Sequence, residues 1–340
     1  MFLNFLASLY RVLLLSRERL FQIGVLKRKR LGCSAVSVGN ITLGGTGKTP
    51  CVEMLAKLIV SKGKSVSIIS RGYKRKSKGL KVVTNGKGII ETAKDSGDEA
   101  YYLAKVLKNI PVIVCKNRYK AGIFAVSEFS SSVVILDDGF QRRYSLYRDL
   151  DIVLIDTTNP FGDYKLFPAG ILREPINKLS CADVFILTKT DEAKNKEELK
   201  KEIRLINRDA LIIESIYRPV CFIMQDKTVG LDFIGNKKVF LLSSIANPFY
   251  FERIISKLNC NIIGHLKYQD HYEYSYSDIT KIEKKFNDSE ADYLITTEKD
   301  TVRLNSVQIP KELPIYSLKI EFEISNSDKL VELLKLRRII

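Results

Sequence analysis

Apolar runs and helical repeats alternate along the first two thirds of the chain. The runs are short and rich in β-branched residues, and they predict strands near 34–38, 65–70, 80–84, 111–115, 132–136, 151–156 and 183–188. Stretches with helical spacing lie between most of them, as from Pro50 through Val60. This alternation predicts an α/β domain built on a mainly parallel sheet.

The pattern weakens after residue 216 and then resumes. A second series predicts strands near 239–243, 261–266, 292–296 and 314–319 and helices near 248–258, 276–287 and 325–337. We therefore expect a larger domain over 26–216, a linker over 217–236 and a second, smaller α/β domain over 237–340. No long Pro/Gly linker separates the two domains, so we expect the smaller one to close over a ligand cleft.

The amino terminus (1–25) predicts an amphipathic helix. Apolar side chains recur at helical spacing at Phe2, Leu6, Leu9 and Leu13. The apolar run is too short to span a bilayer, and no basic stretch precedes it as in a cleaved signal peptide. A basic cluster at 27–30 follows, an order typical of helices that lie on an anionic membrane surface. Packing of this helix on the protein's own core is the alternative.

Composition narrows the choice of partner. The 340-residue chain has 55 Lys and Arg against 39 Asp and Glu, and its net charge of +16 implies an anionic partner. No zinc-finger or RNA-recognition pattern supports nucleic acid, so we expect a lipid or phosphorylated partner, no nucleic acid and no obligate protein partner. The six cysteines form no C-x-x-C pair, which indicates neither a zinc site nor a disulfide framework.

A phosphate-binding loop is predicted at 39–49, GNITLGGTGKT, between a strand and a helix. The glycines of this loop allow the backbone to approach a phosphate closely, Lys48 can reach the terminal phosphates, and the Thr49 hydroxyl can bind Mg²⁺. Thr42 stands where the G-x-x-x-x-G-K-[ST] pattern has its first glycine. A glycine-rich turn without a ligand is the alternative.

Two later strands end in polar motifs. Asp137 and Asp138 follow the strand at 132–136, where P-loop enzymes place an acid beside the metal; a capping role is the alternative. LTKTD at 187–191 resembles the guanine-reading [NT]-K-x-D motif of GTPases. The D-x-x-G element of GTPases is incomplete here, because only one residue separates Asp137 from Gly139. We expect 188–191 to be a loop on the nucleotide side, with its base preference open.

An ordered set of motifs runs through nearly the whole chain: GNITLGGTGKTP, SRGYKRK, GDEA, DDGFQ, PAGILREP, DHYEYS and TTEKD. Together they resemble the tetraacyldisaccharide 4′-kinase family of lipid A biosynthesis. The resemblance implies a P-loop NTPase-like fold and phosphorylation of the 4′-hydroxyl of a tetraacyldisaccharide 1-phosphate with ATP and Mg²⁺. It also implies a peripheral protein on the cytoplasmic face of the bacterial inner membrane. This family commonly lacks the first glycine of the loop, so Thr42 is expected.

The resemblance further implies roles for individual residues. The nucleotide contacts would be Asn40, Gly44, Gly45, Thr46, Gly47, Lys48, Thr49 and Arg71. The metal would be held among Thr49, Asp137, Asp138 and Glu174. The catalytic groups would be Lys48, Asp98 and His271, the last two forming a pair that accepts the proton of the sugar hydroxyl. Arg118 is a further candidate for a phosphate or substrate contact.

The residues alone leave several alternatives open. Asp98 begins a helical pattern and is equally suited to an ordinary N-cap. His271 lies in DHYEYS, whereas His265 lies in a strand-like run and matches no motif; a lone histidine is more often structural than catalytic. Two other functions fit a basic P-loop protein: a GTPase switch that binds a protein partner, and a nucleic-acid-binding ATPase.

Overall fold

The computed structural model describes residues 2–142, 145–225, 227–305, 307–310 and 312–340. The chain divides into two compact units. Unit 1 comprises Met1–Ile216 and Phe322–Ile340, and unit 2 comprises Tyr217–Glu321.

Unit 1 is an α/β unit in which strands and helices alternate. Its elements in chain order are α1 (Phe2–Gln22), β1 (Ser34–Gly39), α2 (Lys48–Ser61), β2 (Val66–Ser70), β3 (Lys81–Thr84), α3 (Ala93–Ser96), α4 (Asp98–Val106), β4 (Val112–Val114), α5 (Arg118–Phe129), β5 (Val133–Asp137), β6 (Leu150–Asp156), β7 (Val184–Thr188), α6 (Lys196–Ile206) and the first part of β8 (Leu211–Met224). Short 3₁₀ turns lie at Phe140–Arg142, Ile176–Cys181 and Thr190–Glu192.

The sheet of unit 1 has the strand order β8-β7-β6-β1-β5-β2-β4-β3. The described pairings are parallel except that of β3 with β4, which is antiparallel at the edge. Strands β2, β5 and β7 are buried at every position, as expected for apolar strands covered on both faces. The predicted α/β fold with a mainly parallel sheet is confirmed.

Unit 2 is a smaller α/β unit. Its elements are the second part of β8, β9 (Lys227–Val229), a 3₁₀ turn (Leu231–Ile234), β10 (Lys238–Ser243), α7 (Pro248–Ser256), β11 (Asn261–Lys267), α8 (Tyr276–Asp288), β12 (Tyr293–Thr297), α9 (Glu298–Leu304) and most of β13 (Ile315–Ile324). Strands β11-β10-β12-β13 pair in parallel in this order, and β9 pairs antiparallel with β8.

The observed division differs from the predicted domain boundaries at two places. The segment 217–236 belongs to unit 2 instead of forming a linker, because it supplies strand residues and places Phe222 and Ile234 in the core of that unit. The carboxyl-terminal segment Phe322–Ile340, including helix α10 (Ser327–Leu336), belongs to unit 1. Ser325 N–H donates to the Glu214 carbonyl oxygen at 2.8 Å, and Arg337 pairs with Asp183 at 2.6 Å.

Helix α1 exposes apolar side chains on one side and meets unit 1 with the other. The half-buried positions are Leu6, Ala7, Tyr10, Leu14, Arg17, Glu18 and Phe21. The exposed apolar positions include Phe2, Leu3, Phe5, Leu9, Val12, Leu13 and Leu20. Leu6 therefore lies on the inner side, although its spacing groups it with Phe2, Leu9 and Leu13. In the described part of the chain, no helix is both long and apolar enough to cross a membrane.

Candidate active site

The phosphate-binding loop begins where β1 ends at Gly39 and stops where α2 starts at Lys48. Strand β1 lies between β5 and β6 in the sheet. Strands β2 to β5 lie on one side of β1, and β6 and β7 lie on its other side, so the strand order reverses at β1. Ligands of open α/β sheets bind beyond the carboxyl ends of the strands at such a point. Gly47 has φ 92°, a left-handed conformation that favours glycine.

The first half of this loop is held by the PAGILREP segment. Leu43 N–H donates to the Ile171 carbonyl oxygen at 2.7 Å, and Arg173 N–H donates to the Ile41 carbonyl oxygen at 2.6 Å. Thr42 lies between these contacts and forms a bridge with Leu172. The extended backbone here can carry a side chain, which explains why threonine fits where the usual pattern has glycine.

Lys48 lies in a polar network at the mouth of the loop. Its Nζ donates to Asn40 Oδ1 at 3.2 Å and lies 3.8 Å from Asp138 Oδ1. Arg173 binds both Asp138 oxygens, at 2.8 and 2.9 Å. Burial raises the pKa of the Asp138 carboxyl, but Lys48 and Arg173 outweigh it and bring that pKa well below its usual range. Asp138 is therefore an ionised partner of two cations.

Asp137 has a different environment, although it is the next residue. Its side chain is 2% exposed, its Oδ2 accepts a hydrogen bond from the Ser70 hydroxyl at 2.9 Å, and its Oδ1 has no hydrogen-bond partner in the described part of the structure. Burial, followed by the charges of Glu99 and Asp138, raises the pKa of Asp137 to about 6. A buried carboxylate oxygen without a donor is suited to a cation.

The GDEA motif supplies two acids at the start of α4. The N-cap position is occupied by Gly97, which has φ 86°, and Asp98 lies in the first turn of the helix. Glu99 was not predicted as a site residue, but its Oε1 accepts a hydrogen bond from the Thr49 hydroxyl at 3.3 Å. Thr49, Glu99 and Asp137 thus form one side of the site.

Glu174 is 1% exposed and pairs with Arg17 of α1 at 3.2 Å. The Tyr10 hydroxyl of the same helix donates to the Arg173 carbonyl oxygen at 2.9 Å. Among the described residues no cluster of three acidic, histidine or cysteine side chains is placed to hold a metal ion. The predicted four-residue metal set is thus not gathered as a complete cage; a Mg²⁺ ion commonly takes one or two protein ligands with phosphate and water.

Two predicted arginine contacts lie at neighbouring strand ends. Arg71 is exposed and directly follows β2. Arg118 is 5% exposed, and its guanidinium donates to the carbonyl oxygens of Cys115 at 2.7 Å and Asp137 at 3.3 Å. Arg118 therefore supports the backbone that carries Asp137.

The LTKTD loop contacts the phosphate-binding loop from the end of β7. The Thr188 hydroxyl donates to the Thr46 carbonyl oxygen at 3.2 Å, and Lys189 Nζ donates to the Gly45 carbonyl oxygen at 3.4 Å. Lys189 also forms an ion pair with Asp156. This loop consequently lies beside the predicted nucleotide site.

His271 lies in unit 2, within a buried polar network. It has φ 58°, its Nδ1 faces Arg303 Nη2 at 3.2 Å, and its N–H donates to the Ser244 carbonyl oxygen at 3.3 Å. His265 is the structural histidine, since its ring is buried between Ser243 Oγ at 2.8 Å and Glu252 Oε2 at 2.9 Å.

Sequence reasoning missed Ser70, Glu99 and Arg173 in unit 1, and it missed Arg303 beside His271 in unit 2. The first three lie inside the quoted motifs SRGYKRK, GDEA and PAGILREP, so motif membership was the signal. Arg303 follows TTEKD by three positions and carried no signal of its own.

Comparisons with known proteins identify the family of the chain. The family model described as Tetraacyldisaccharide-1-P 4′-kinase matches residues 1–338. A tetraacyldisaccharide 4′-kinase of Halothermothrix orenii is 34% identical over 98% of this chain and 91% of its own, and one of Desulfotalea psychrophila is 36% identical over 96% and 94%. A crystal structure of LpxK from Aquifex aeolicus in complex with ATP has 31% identity and a TM-score of 0.77, covering 98% of this chain and 97% of that one. The chain belongs to the tetraacyldisaccharide-1-P 4′-kinase family.

Proposed function

We propose that this protein transfers the γ-phosphoryl group of ATP to the 4′-hydroxyl of a tetraacyldisaccharide 1-phosphate. The observation that carries the proposal is the P-loop lysine beside an ionised aspartate, Asp138, which Arg173 of the PAGILREP segment binds through both oxygens. These groups come from the motifs of one kinase family. In-line phosphoryl transfer depends mainly on positioning the reactants and on neutralising their charge. Lys48 and Arg173 are cations of this site that can neutralise phosphate charge.

The residues present fit an ATP–Mg²⁺ complex. When bound, Mg²⁺ neutralises charge on the terminal phosphate oxygens. The Thr49 hydroxyl and Asp137 Oδ1 would hold it, with Glu99 beside them; the Thr49 hydroxyl donates to Glu99 Oε1, and Asp137 Oδ1 has no hydrogen-bond partner in the described part of the structure. Backbone N–H groups of the loop would bind the phosphates, and Lys48 would exchange Asn40 and Asp138 for a γ-phosphate oxygen.

We propose that Asp98 and His271 act as one unit on the proton of the sugar hydroxyl. Motif membership supports this pairing. Asp98→Ala and His271→Ala should each reduce kcat strongly with little change in ATP affinity, and the double variant should be scarcely worse than either, because members of one catalytic unit are not additive. Fully additive losses would show that the two residues act independently.

The acyl chains of the substrate have a candidate place in unit 1. A groove of about 610 Å³ lies between α1 and residues 164–178, a segment that contains PAGILREP. Apolar side chains contribute much of its lining, at Ala7, Leu15, Leu166, Ala169, Leu172, Pro175 and Ile176. Arg11, Lys165 and Lys178 also line it, so an anionic lipid would meet cations at its edge.

We also propose that the protein binds peripherally to the cytoplasmic face of the inner membrane. The support is the outer side of α1, where Phe2 is 71% and Phe5 is 67% exposed, followed by the basic cluster at 27–30. Part of that cluster is engaged by the protein itself, since Lys29 and Arg30 lie over the rings of Tyr119 and Tyr147. The apolar side of α1 should therefore contribute more to membrane binding than the basic cluster.

The direct test is incubation of purified protein with γ-radiolabelled ATP and the disaccharide 1-phosphate lipid in mixed micelles, followed by chromatography of the lipid. Label should enter the lipid, and it should not enter an analogue that lacks the 4′-hydroxyl. ATP hydrolysis without a labelled lipid, or transfer to the 4′-deoxy analogue, would refute the proposal. A strict preference for GTP with no phosphorylation of the lipid would select the GTPase alternative.

A further inference from the structure

Arg303 has its guanidinium buried in unit 2 and aimed at a catalytic candidate. The residue lies near the end of α9 and is 4% exposed. Its Nη1 donates to the Ser244 carbonyl oxygen at 2.7 Å and hydroxyl at 2.8 Å, and lies 3.3 Å from Asp300 Oδ1. Its Nη2 lies 3.2 Å from His271 Nδ1. The orientation of the guanidinium is thus set by several acceptors other than the histidine.

The chemistry of this contact fixes the direction of the hydrogen bond. A guanidinium has only donors and remains charged, so it cannot accept a proton from the imidazole. Nδ1 must therefore be the acceptor, and the ring proton is at Nε2. Asp270 Oδ1 lies 3.9 Å from His271 Nε2, which is too far for a hydrogen bond, so the assignment rests on the Arg303 contact.

The backbone of His271 is tied to the same anchor. Its N–H donates to the Ser244 carbonyl oxygen that also accepts from Arg303, and its φ of 58° is unusual for a residue with a side chain. Ser244 N–H in turn donates to Asp300 Oδ1 at 3.0 Å. One buried network therefore orients both the ring and the backbone of the histidine.

We infer that Arg303 is a positioning residue that holds His271 as an Nε2–H hydrogen-bond donor. The inference rests on the proposed function and assigns roles within the catalytic pair. A nitrogen that carries a proton cannot take the one from the 4′-hydroxyl, so His271 orients a carboxylate or a substrate oxygen, and the carboxylate of Asp98 accepts the proton. The sugar O–H bond breaks, an O–P bond forms to the γ-phosphorus, and its bond to the bridging oxygen breaks to release ADP.

The tautomer can be measured directly by long-range ¹H–¹⁵N NMR on full-length protein with ¹⁵N-labelled histidine. The chain has two histidines, so the spectrum of His271→Gln assigns the signals. We expect an unprotonated Nδ1 and a protonated Nε2 at His271 near neutral pH. Arg303→Met should give a mixture of tautomers, whereas the exposed control Arg253→Met should leave the tautomer unchanged.

Activity provides the second readout. Arg303→Met should lower kcat by roughly tenfold or more with KM for ATP unchanged, and Arg303→Lys should recover part of the loss. If the loss of the buried cation prevents folding, Arg303→Met/Asp300→Asn restores the charge balance, and the same tautomer mixture is expected in it. A wild-type ring protonated at Nδ1, or an unaltered tautomer without Arg303, would overturn the inference. The NMR result needs no substrate, so an Nε2–H ring in a protein that phosphorylates no lipid would refute the proposed function alone.

Discussion

Replacing Asp137 by asparagine should stabilise the ligand-free protein while removing its activity. The carboxyl group is buried, and burial together with the charges of Glu99 and Asp138 raises its pKa from 3.8 to about 6. Near neutral pH the folded protein therefore retains a buried charge that is better solvated in the unfolded chain. Asparagine removes that charge, and its amide oxygen can still accept the hydrogen bond from Ser70.

The magnitude follows from the pKa difference. A shift of about two units, at about 1.4 kcal/mol per unit, corresponds to roughly 3 kcal/mol in the free energy of unfolding. Because the folded-state pKa is the higher one, the folded protein binds more protons than the unfolded chain between about pH 4 and pH 6. The contribution of Asp137 to stability thus falls as the pH rises through this window and is constant above it.

The assay is urea denaturation of the full-length, ligand-free protein in mild detergent, at several pH values from 4.5 to about 8. The free energy of unfolding of Asp137→Asn minus that of the wild type should increase as the pH rises to about 6 and should be constant above that pH. Asp209→Asn, at an exposed position, is the matched control. Binding of a fluorescent ATP analogue should lose its dependence on Mg²⁺ in Asp137→Asn. A difference that is constant with pH, or an asparagine variant less stable at pH 7.5, would refute the reasoning.

Three further predictions concern the loop lysine and helix α1. Lys48→Ala should lower turnover at least about a hundredfold, because it removes charge stabilisation worth a few kcal/mol; wild-type turnover in a folded variant would exclude the P-loop assignment. Phe2→Ser/Phe5→Ser should weaken sedimentation with anionic vesicles and raise KM for the lipid without changing ATP affinity; unchanged sedimentation would place the anchor elsewhere. Arg17→Gln should reduce kcat in micelles, whereas Arg19→Gln, an equal loss of charge at an exposed position, should not; equal losses would indicate a membrane effect only.

Local features of the site could be predicted because their causes are local. Four β-branched or aliphatic positions bury β5 and place Asp137 at its carboxyl end, and the glycines between β1 and α2 set the loop conformation. The predicted strands 239–243 and 261–266 correspond to Lys238–Ser243 and Asn261–Lys267 for the same reason. Hydrophobic periodicity reports burial, and burial is what fixes these elements.

Contacts between residues that lie far apart in the sequence could not be predicted from hydrophobic periodicity. Nothing in the residues near Asp138 indicates that a guanidinium 35 positions later binds both its oxygens. Asp137 and Asp138 likewise have different environments because their partners come from other strands and helices. Two adjacent aspartates in a sequence do not show which partners each will have. The end of unit 2 at Glu321 was missed because β13 continues without a break into residues of unit 1.

The two sides of helix α1 differ in how far the sequence predicts them. The apolar outer side could be predicted from the spacing of its residues, whereas the contacts of the inner side are seen only in the structure. Tyr10 binds the carbonyl of Arg173, the residue whose guanidinium holds Asp138, and Arg17 pairs with the buried carboxylate of Glu174. An element whose only role was membrane attachment would not need polar contacts 163 and 157 positions away in the chain. Because a buried carboxylate is costly without its cation, the position of α1 and the geometry of the PAGILREP segment are energetically linked. If α1 binds a lipid surface as proposed, that surface also acts on the segment that positions Asp138 beside Lys48.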